Sequence, residues 1–191
     1  VVHERNRADD TFGFGVVFSD KTLENLADLD EPSYRRITES LAHWDDIDVH
    51  VRGRVITSGG HGFAGIARKQ LLNILQTRCA DLGVAIRFET DIHSDDDLAR
   101  LGLGDADVVV AADGINSAIR TRHAAHFKPD LLRGQARFIW LGTTFPFQAF
   151  TFYFVENEHG VFQAHCYRFD EHTSTFIVEC DEESWRNAGF D

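Results

Sequence analysis

The sequence predicts an α/β chain of two unlike portions: strands and helices in alternation over residues 1–130, then an antiparallel β-sheet over residues 131–191. Three observations carry this reading. Ile66, Leu71, Ile74, Leu75 and Leu82 recur at helical spacing between two strand-like segments. The run Val108–Ala112 is apolar, rich in β-branched residues and too short for an ordinary helix, which suits a strand buried on both faces. After Pro129, β-rich segments follow one another at residues 137–142, 149–155, 160–167 and 174–180 with short polar connections and no intervening helix.

Taken in order, Val1-Val2-His3 reads as the end of a buried strand finishing on Glu4-Arg5. In dinucleotide-binding folds an acid at such a strand end bonds the ribose hydroxyls, although a solvated acid fits Glu4 equally well on the residues alone. Thr11–Ser19 sets two glycines among aromatics, a loop suited to a flat ligand or to plain packing by phenylalanines. Ser19 or Asp20 can cap a helix through Leu29, and a second helix is expected from Pro32 to Trp44. Residues 47–51 and 54–56 form a hairpin around Arg52-Gly53. Gly59, Gly60, Gly62 and Gly65 crowd the next turn, where backbone passes close to something.

Arg68 heads the following helix, which Gly83 ends before a strand over Val84–Phe88. A cation in a first helical turn opposes the helix dipole, so an anionic neighbour would explain it; a solvated arginine is the plain alternative. The acidic stretch 91–107 lacks the spacing of a Ca²⁺ loop and reads as a solvated connection, so no metal is expected. The valine run then stops at Asp113-Gly114, and Asn116 or Ser117 can cap a helix whose free N–H groups suit an anion. A short helix from Arg120 closes before Pro129, and Asp181 can cap a last helix through Trp185.

Composition narrows the function classes. A net charge of −12 argues against a nucleic-acid partner, and no apolar segment is long enough for a membrane span. Cys79, Cys166 and Cys180 are odd in number and widely spaced, as suits a reduced, cytoplasmic protein. The chain opens on Val1 with neither a Met nor a signal-peptide pattern, and reads as an internal segment of a longer protein.

Asp113, Gly114, Ser117 and Arg120 after three valines resemble the "DG" motif of the class A flavoprotein aromatic hydroxylases, the group typified by para-hydroxybenzoate hydroxylase. Glu4-Arg5 and the Arg68-headed helix also resemble that family. Phe138–Thr143, Gln163–Tyr167 and Ser174–Cys180 are similar to a branch containing the salicylyl-CoA 5-hydroxylases and the violacein-pathway tryptophan hydroxylase, and Trp44–His50 with Ser58–Phe63 are closer to the former.

The resemblance implies an FAD-binding Rossmann-like domain joined to an antiparallel substrate sheet. It further implies NAD(P)H-driven hydroxylation of an aromatic ring through a C4a-hydroperoxyflavin, on a small substrate such as a salicylyl-CoA-like thioester. Glu4 and Arg5 would then lie at the ribose, with Arg68, Asp113, Gly114, Ser117 and Arg120 around the FAD phosphates. His165 is a candidate for the phenol proton, though it shares a strand face with Gln163 and Tyr167 and can equally line a polar pocket. Arg52 and Arg54 are candidates for the nucleotide tail of a thioester, against a solvated hairpin. The family's first strand with its GxGxxG turn is missing from this sequence, so the isolated chain is expected to hold FAD weakly or not at all. A non-catalytic α/β binding domain, or a flavin reductase or oxidase on the same scaffold, are the competing readings. Neither the oligomeric state nor the choice of NADH or NADPH is readable from the residues.

Overall fold

The computed structural model describes residues Val1–Phe190. Strand β1 (Val2–His3) is followed by β2 (Gly15–Ser19) and helix α1 (Asp20–Leu29), where Ser19 Oγ accepts from the Thr22 amide at 3.3 Å. Asp30 caps α2 (Glu31–Thr38), and Pro32 sits in the first turn, where its missing N–H breaks no helical bond. This helix was expected to reach Trp44 but stops at Thr38, and Ala42–Trp44 forms β3. The extended backbone lets Trp44, 6% exposed, stack on Tyr167 with ring centroids 6.1 Å apart. The hairpin of β4 (Ile47–Val51) and β5 (Arg54–Ser58) turns through Arg52 and Gly53, both at positive φ, the two-residue turn that matches strand twist.

β6 (Phe63–Ala67) leads into α3 (Arg68–Asp81), and β7 (Ile86–Arg87) is shorter than the Val84–Phe88 strand expected. The acidic stretch contains α4 (Asp95–Arg100), capped by Ser94, and the segment before Pro129 holds α5 (Ala118–Arg122) and α6 (Ala124–Phe127). The C-terminal part reads as expected: β8 (Arg137–Thr143), β9 (Phe150–Asn157), β10 (Gly160–Arg168), β11 (Ser174–Cys180) and α7 (Glu182–Asn187), capped by Asp181.

These elements form two compact units. One comprises Val1–Ala8 with Val84–Gly134, the other Asp9–Gly83 with the chain from Gln135 onward. The linear boundary expected near residue 130 thus has a counterpart at Gly134, but residues 9–83 cluster with the C-terminal sheet. The reason is a long-range pairing: β4 lies parallel to β9, giving a six-stranded sheet in the order β5-β4-β9-β10-β11-β8. The four C-terminal strands pair antiparallel, as expected, and the parallel pairing of β4 makes the whole sheet mixed. β2, β6 and β3 make a second, three-stranded antiparallel sheet around Ile66, which is fully buried.

Directly opposed residues share a sheet face. One face therefore carries a row of Ile56, Val49, Phe152, His165, Ile177 and Trp140 across the six strands, and beside it a row of Arg54, Val51, Phe154, Gln163, Glu179 and Phe138. On the other face Phe147, Ala164 and Cys166 form a packed cluster with Tyr153, Phe176 and Val178.

In the smaller unit, β1 pairs in parallel with β7. The valine run departs from expectation: residues 108–112 form no strand, and Val108, Val109 and Val110 are 78%, 53% and 82% exposed. A strand exists only where a neighbour takes its N–H and C=O groups, and among the described residues none lies beside this run.

Candidate functional site

In the smaller unit the turn after the valine run is tightly bonded to itself. Asp113 Oδ1 accepts from the Ser117 hydroxyl at 2.6 Å, and Oδ2 from the amides of Ala118 at 2.9 Å and Ile119 at 3.4 Å. Ser117 Oγ in turn accepts from the Arg120 amide at 2.9 Å. The donated Ser117 hydroxyl, followed by the backbone amides, holds the Asp113 carboxyl below its usual range against the cost of partial burial. The free N–H groups expected at this helix start are consequently taken: α5 opens on its own carboxylate and hydroxyl, so its amides offer no anion site.

What the turn offers a ligand lies elsewhere. Gly114 has φ +86° and open space where a Cβ would stand, so its backbone can be approached closely. Arg120 donates through Nη2 to the Ile115 carbonyl, while its buried Nε has no partner. Glu4 continues the β1–β7 ladder, its amide donating to Arg87 O at 2.9 Å, and its half-buried carboxylate accepts from the Asn6 amide at 2.7 Å. Arg5 is exposed, and among the described residues no hydrogen bond joins Glu4 or Arg5 to the Asp113 turn.

Arg68 belongs to the larger unit. It opens the 14-residue helix α3, which has no side-chain cap and no acid in its first turn. Among the described residues no carboxylate pairs with Arg68, and its positive charge is felt by the Tyr167 hydroxyl. Within the larger unit, a guanidinium on a helix start without a side-chain cap suits a phosphate, although the Arg68 amide itself donates to Phe14 O at 2.9 Å. Within the smaller unit, taken by itself, the open backbone at Gly114 and the Glu4 carboxylate suit the close approach of a nucleotide such as FAD.

Tyr167 donates to Gly15 O at 3.0 Å, and burial pushes its hydroxyl pKa up. The Thr11–Ser19 loop packs against aromatics: a Cβ on Gly13 would meet Trp140 at 2.6 Å, and one on Gly15 would meet Phe169 at 2.6 Å. Two residues along β10, His165 sits half-buried between Phe152 and Ile177, its ring centroid 6.2 Å from those of Phe150 and Phe152. Burial lowers the His165 pKa against a weaker opposing pull from Glu179, so the imidazole is neutral at pH 7. A neutral imidazole on an aromatic-walled sheet face can accept a proton from an acidic hydroxyl held above it.

Sequence reasoning singled out His165 as a candidate but missed the side chains around it. Phe152, Ile177 and Trp140 are cross-strand neighbours, and only long-range register identifies them. A cleft of about 620 Å³ opens on the opposite face and is lined by apolar side chains such as Val155, Phe162, Val178 and Phe190. Beneath that face Cys166 is fully buried and its thiol is pushed up to about 12, leaving it inert. Arg52 lies 3.6 Å from Glu156 in an exposed ion pair. No group of side chains suited to a metal ion occurs among the described residues, and no described helix is long and apolar enough to cross a membrane.

No protein-family model matches the chain. It is 46% identical over 191 residues to a salicyloyl-CoA 5-hydroxylase of Streptomyces, covering 100% of this chain and 36% of that protein. It is 35% identical to a 3-hydroxy-4-methyl-anthranilyl-[aryl-carrier protein] 5-monooxygenase of Streptosporangium sibiricum (90% of this chain, 47% of that protein). It is 32% identical to a protodeoxyviolaceinate monooxygenase of Chromobacterium violaceum (97% and 49%). The chain thus spans between about a third and a half of the length of these curated relatives.

Among solved structures, 2-methyl-3-hydroxypyridine-5-carboxylic acid oxygenase (Y270F variant) shares the fold with a TM-score of 0.77 at 17% identity, over 98% of this chain and 54% of that one. CtdE in complex with FAD and a substrate does so with a TM-score of 0.67 at 15% identity, over 94% and 50%. With monooxygenase relatives along nearly its whole length and the mixed α/β architecture of those oxygenases, the chain belongs to the class A flavoprotein monooxygenase family.

Proposed function

We propose that the whole protein is an FAD-dependent monooxygenase that hydroxylates an aromatic acid carried as a CoA thioester, a salicyloyl-CoA-like substrate, using NAD(P)H and O₂. The observation that carries this reading is the sheet row of Val49, Phe152, His165, Ile177 and Trp140, an apolar row in which His165 is the one titratable side chain. The 46% identity to the salicyloyl-CoA enzyme favours that substrate class.

When bound, FAD supplies the redox chemistry that delivers one oxygen atom of O₂ to the ring. The chain's own residues bind and orient. Arg68, at the start of α3, would contact the pyrophosphate, Glu4 would take the ribose hydroxyls with Arg5 beside it, and Gly114 would give close backbone approach. Asp113, Ser117 and Arg120 keep that turn in shape in a Rossmann-like half-domain. The aromatic wall excludes water and aligns the ring, and His165 Nε2 or Nδ1 takes the phenol proton as the ring becomes the nucleophile. The three free cysteines suit a reduced cytoplasm.

The test is NAD(P)H consumption by the full-length protein with salicyloyl-CoA under air. The expected result is consumption stimulated by the thioester and a product heavier by one oxygen atom. Consumption that yields only hydrogen peroxide would make the protein an oxidase, and a full-length protein that retains no flavin would make it a non-catalytic binding domain.

A further inference from the structure

We propose that the β4–β5 hairpin is the seat of the CoA diphosphate, with Arg54 as its main contact and Arg52 as the second; this rests on the acyl-CoA reading above. The hairpin is joined to β9 by a parallel pairing that brings it onto the strand system bearing His165. Arg54 opposes Val51, and Val51 opposes Phe154, so Arg54 stands on the same face as His165, one row further along the strands.

Reach is consistent with the ligand. In the order β5-β4-β9-β10 three strand spacings separate the two residues, about 14 Å at roughly 4.8 Å each, with about 7 Å more along the strand direction. That is comparable to an extended pantetheine arm between its thioester and its diphosphate. The path between them is apolar and open: Phe154 is 40% and Ile56 58% exposed on this face. Exposed apolar side chains leading from a candidate ring site to a cation are what an acyl-pantetheine chain would cover.

Charge complementarity supplies the rest. A chain of net charge −12 repels a polyanionic ligand overall, so a CoA tail needs a local cation. Among the described residues Arg54 has no carboxylate partner, and Arg52 has only Glu156 at 3.6 Å. A phosphate would compete directly with that carboxylate, which makes Glu156 a restraint on affinity and a second handle on the site.

The experiment compares full-length wild type with Arg54→Gln, Arg52→Gln/Arg54→Gln and Glu156→Gln, using salicyloyl-CoA and its N-acetylcysteamine thioester, which keeps the ring and thioester but has no phosphates. All three positions are exposed, so the fold is not at issue. The double variant should raise KM for salicyloyl-CoA by roughly tenfold or more with kcat within twofold, as expected for loss of charge-assisted phosphate contacts. KM for the truncated thioester should not change, and Glu156→Gln should lower KM for salicyloyl-CoA severalfold. Free CoA should inhibit wild type competitively and the double variant far less.

Equal responses to the two thioesters, or an unchanged KM for salicyloyl-CoA, would overturn the proposal while leaving the hydroxylase reading intact. Hydroxylation of a free aromatic acid but of neither thioester would overturn the proposal together with the thioester reading. Arginine-dependent binding of free CoA by a protein that hydroxylates nothing would support the hairpin site and sink the hydroxylase reading.

Discussion

The two units of this chain handle the same kind of sequence in opposite ways. In the larger unit, apolar β-branched and aromatic segments at β4, β9, β10 and β11 find neighbours on both sides and their side chains are drawn into packed faces. In the smaller unit, the equally apolar Val108–Ala112 has no pairing strand among the described residues and stays exposed. A strand is therefore a property of a pair of segments rather than of one, and burial follows pairing.

Truncating one apolar side chain in each unit should sharpen this contrast most. Ile66→Ala, at a fully buried site in the three-stranded sheet, should cost about 2–5 kcal/mol of stability. Val109→Ala, at a 53% exposed position, should cost less than about 0.5 kcal/mol. Denaturant titration of this chain reads both, and a penalty at Val109 comparable to that at Ile66 would break the comparison.

Acid titration offers a finer test, because each unit contains a carboxylate that organises a helix start. In the larger unit Asp30 caps α2 and receives Arg78 Nη2 at 2.7 Å and Nε at 3.1 Å; those bonds lower its pKa from 3.8 to about 2. In the smaller unit Asp113 is lowered chiefly by the Ser117 hydroxyl. Both shifts are downward, so each carboxylate's contribution is complete above its ordinary pKa and is lost as pH falls through the lowered folded value. Carboxyl and amide chemical shifts followed by NMR should show the α2–α3 tie releasing between pH 3.8 and about 2. They should also show the α5 amides of Ala118 and Ile119 losing their partner in the acid range. Asp30→Asn and Asp113→Asn should each abolish the corresponding transition and leave the other in place.

Much of this architecture was legible in local sequence. The four C-terminal strands, the Arg52-Gly53 hairpin and the caps at Ser19 and Asp181 follow from alternation, turn chemistry and short polar side chains, all short-range signals. What depends on distant partners was not. The β4–β9 pairing joins segments about a hundred residues apart, and nothing in either names the other. The second helix looked continuous to Trp44 because propensity does not register that Trp44 must reach Tyr167. The site divides in the same way. His165, Arg68 and Asp113 were visible as residue types in suggestive places, whereas the wall of Phe152, Ile177 and Trp140 comes from register. So does the self-capping of α5 come from geometry, because a carboxylate beside a helix start reads equally as ligand-facing or as cap.

The central claim is that the sheet face around His165 holds a hydroxylated ring and that this imidazole receives its proton. The most direct measurement is the pH dependence of kcat for product formation by the full-length protein, wild type against His165→Gln. Because burial lowers the His165 pKa, wild-type turnover should hold through neutrality and fall only on the acid side of the ordinary histidine value. His165→Gln should lack that limb and turn over slower by roughly 10²-fold or more. An unchanged rate and an unchanged profile in the variant would contradict the account.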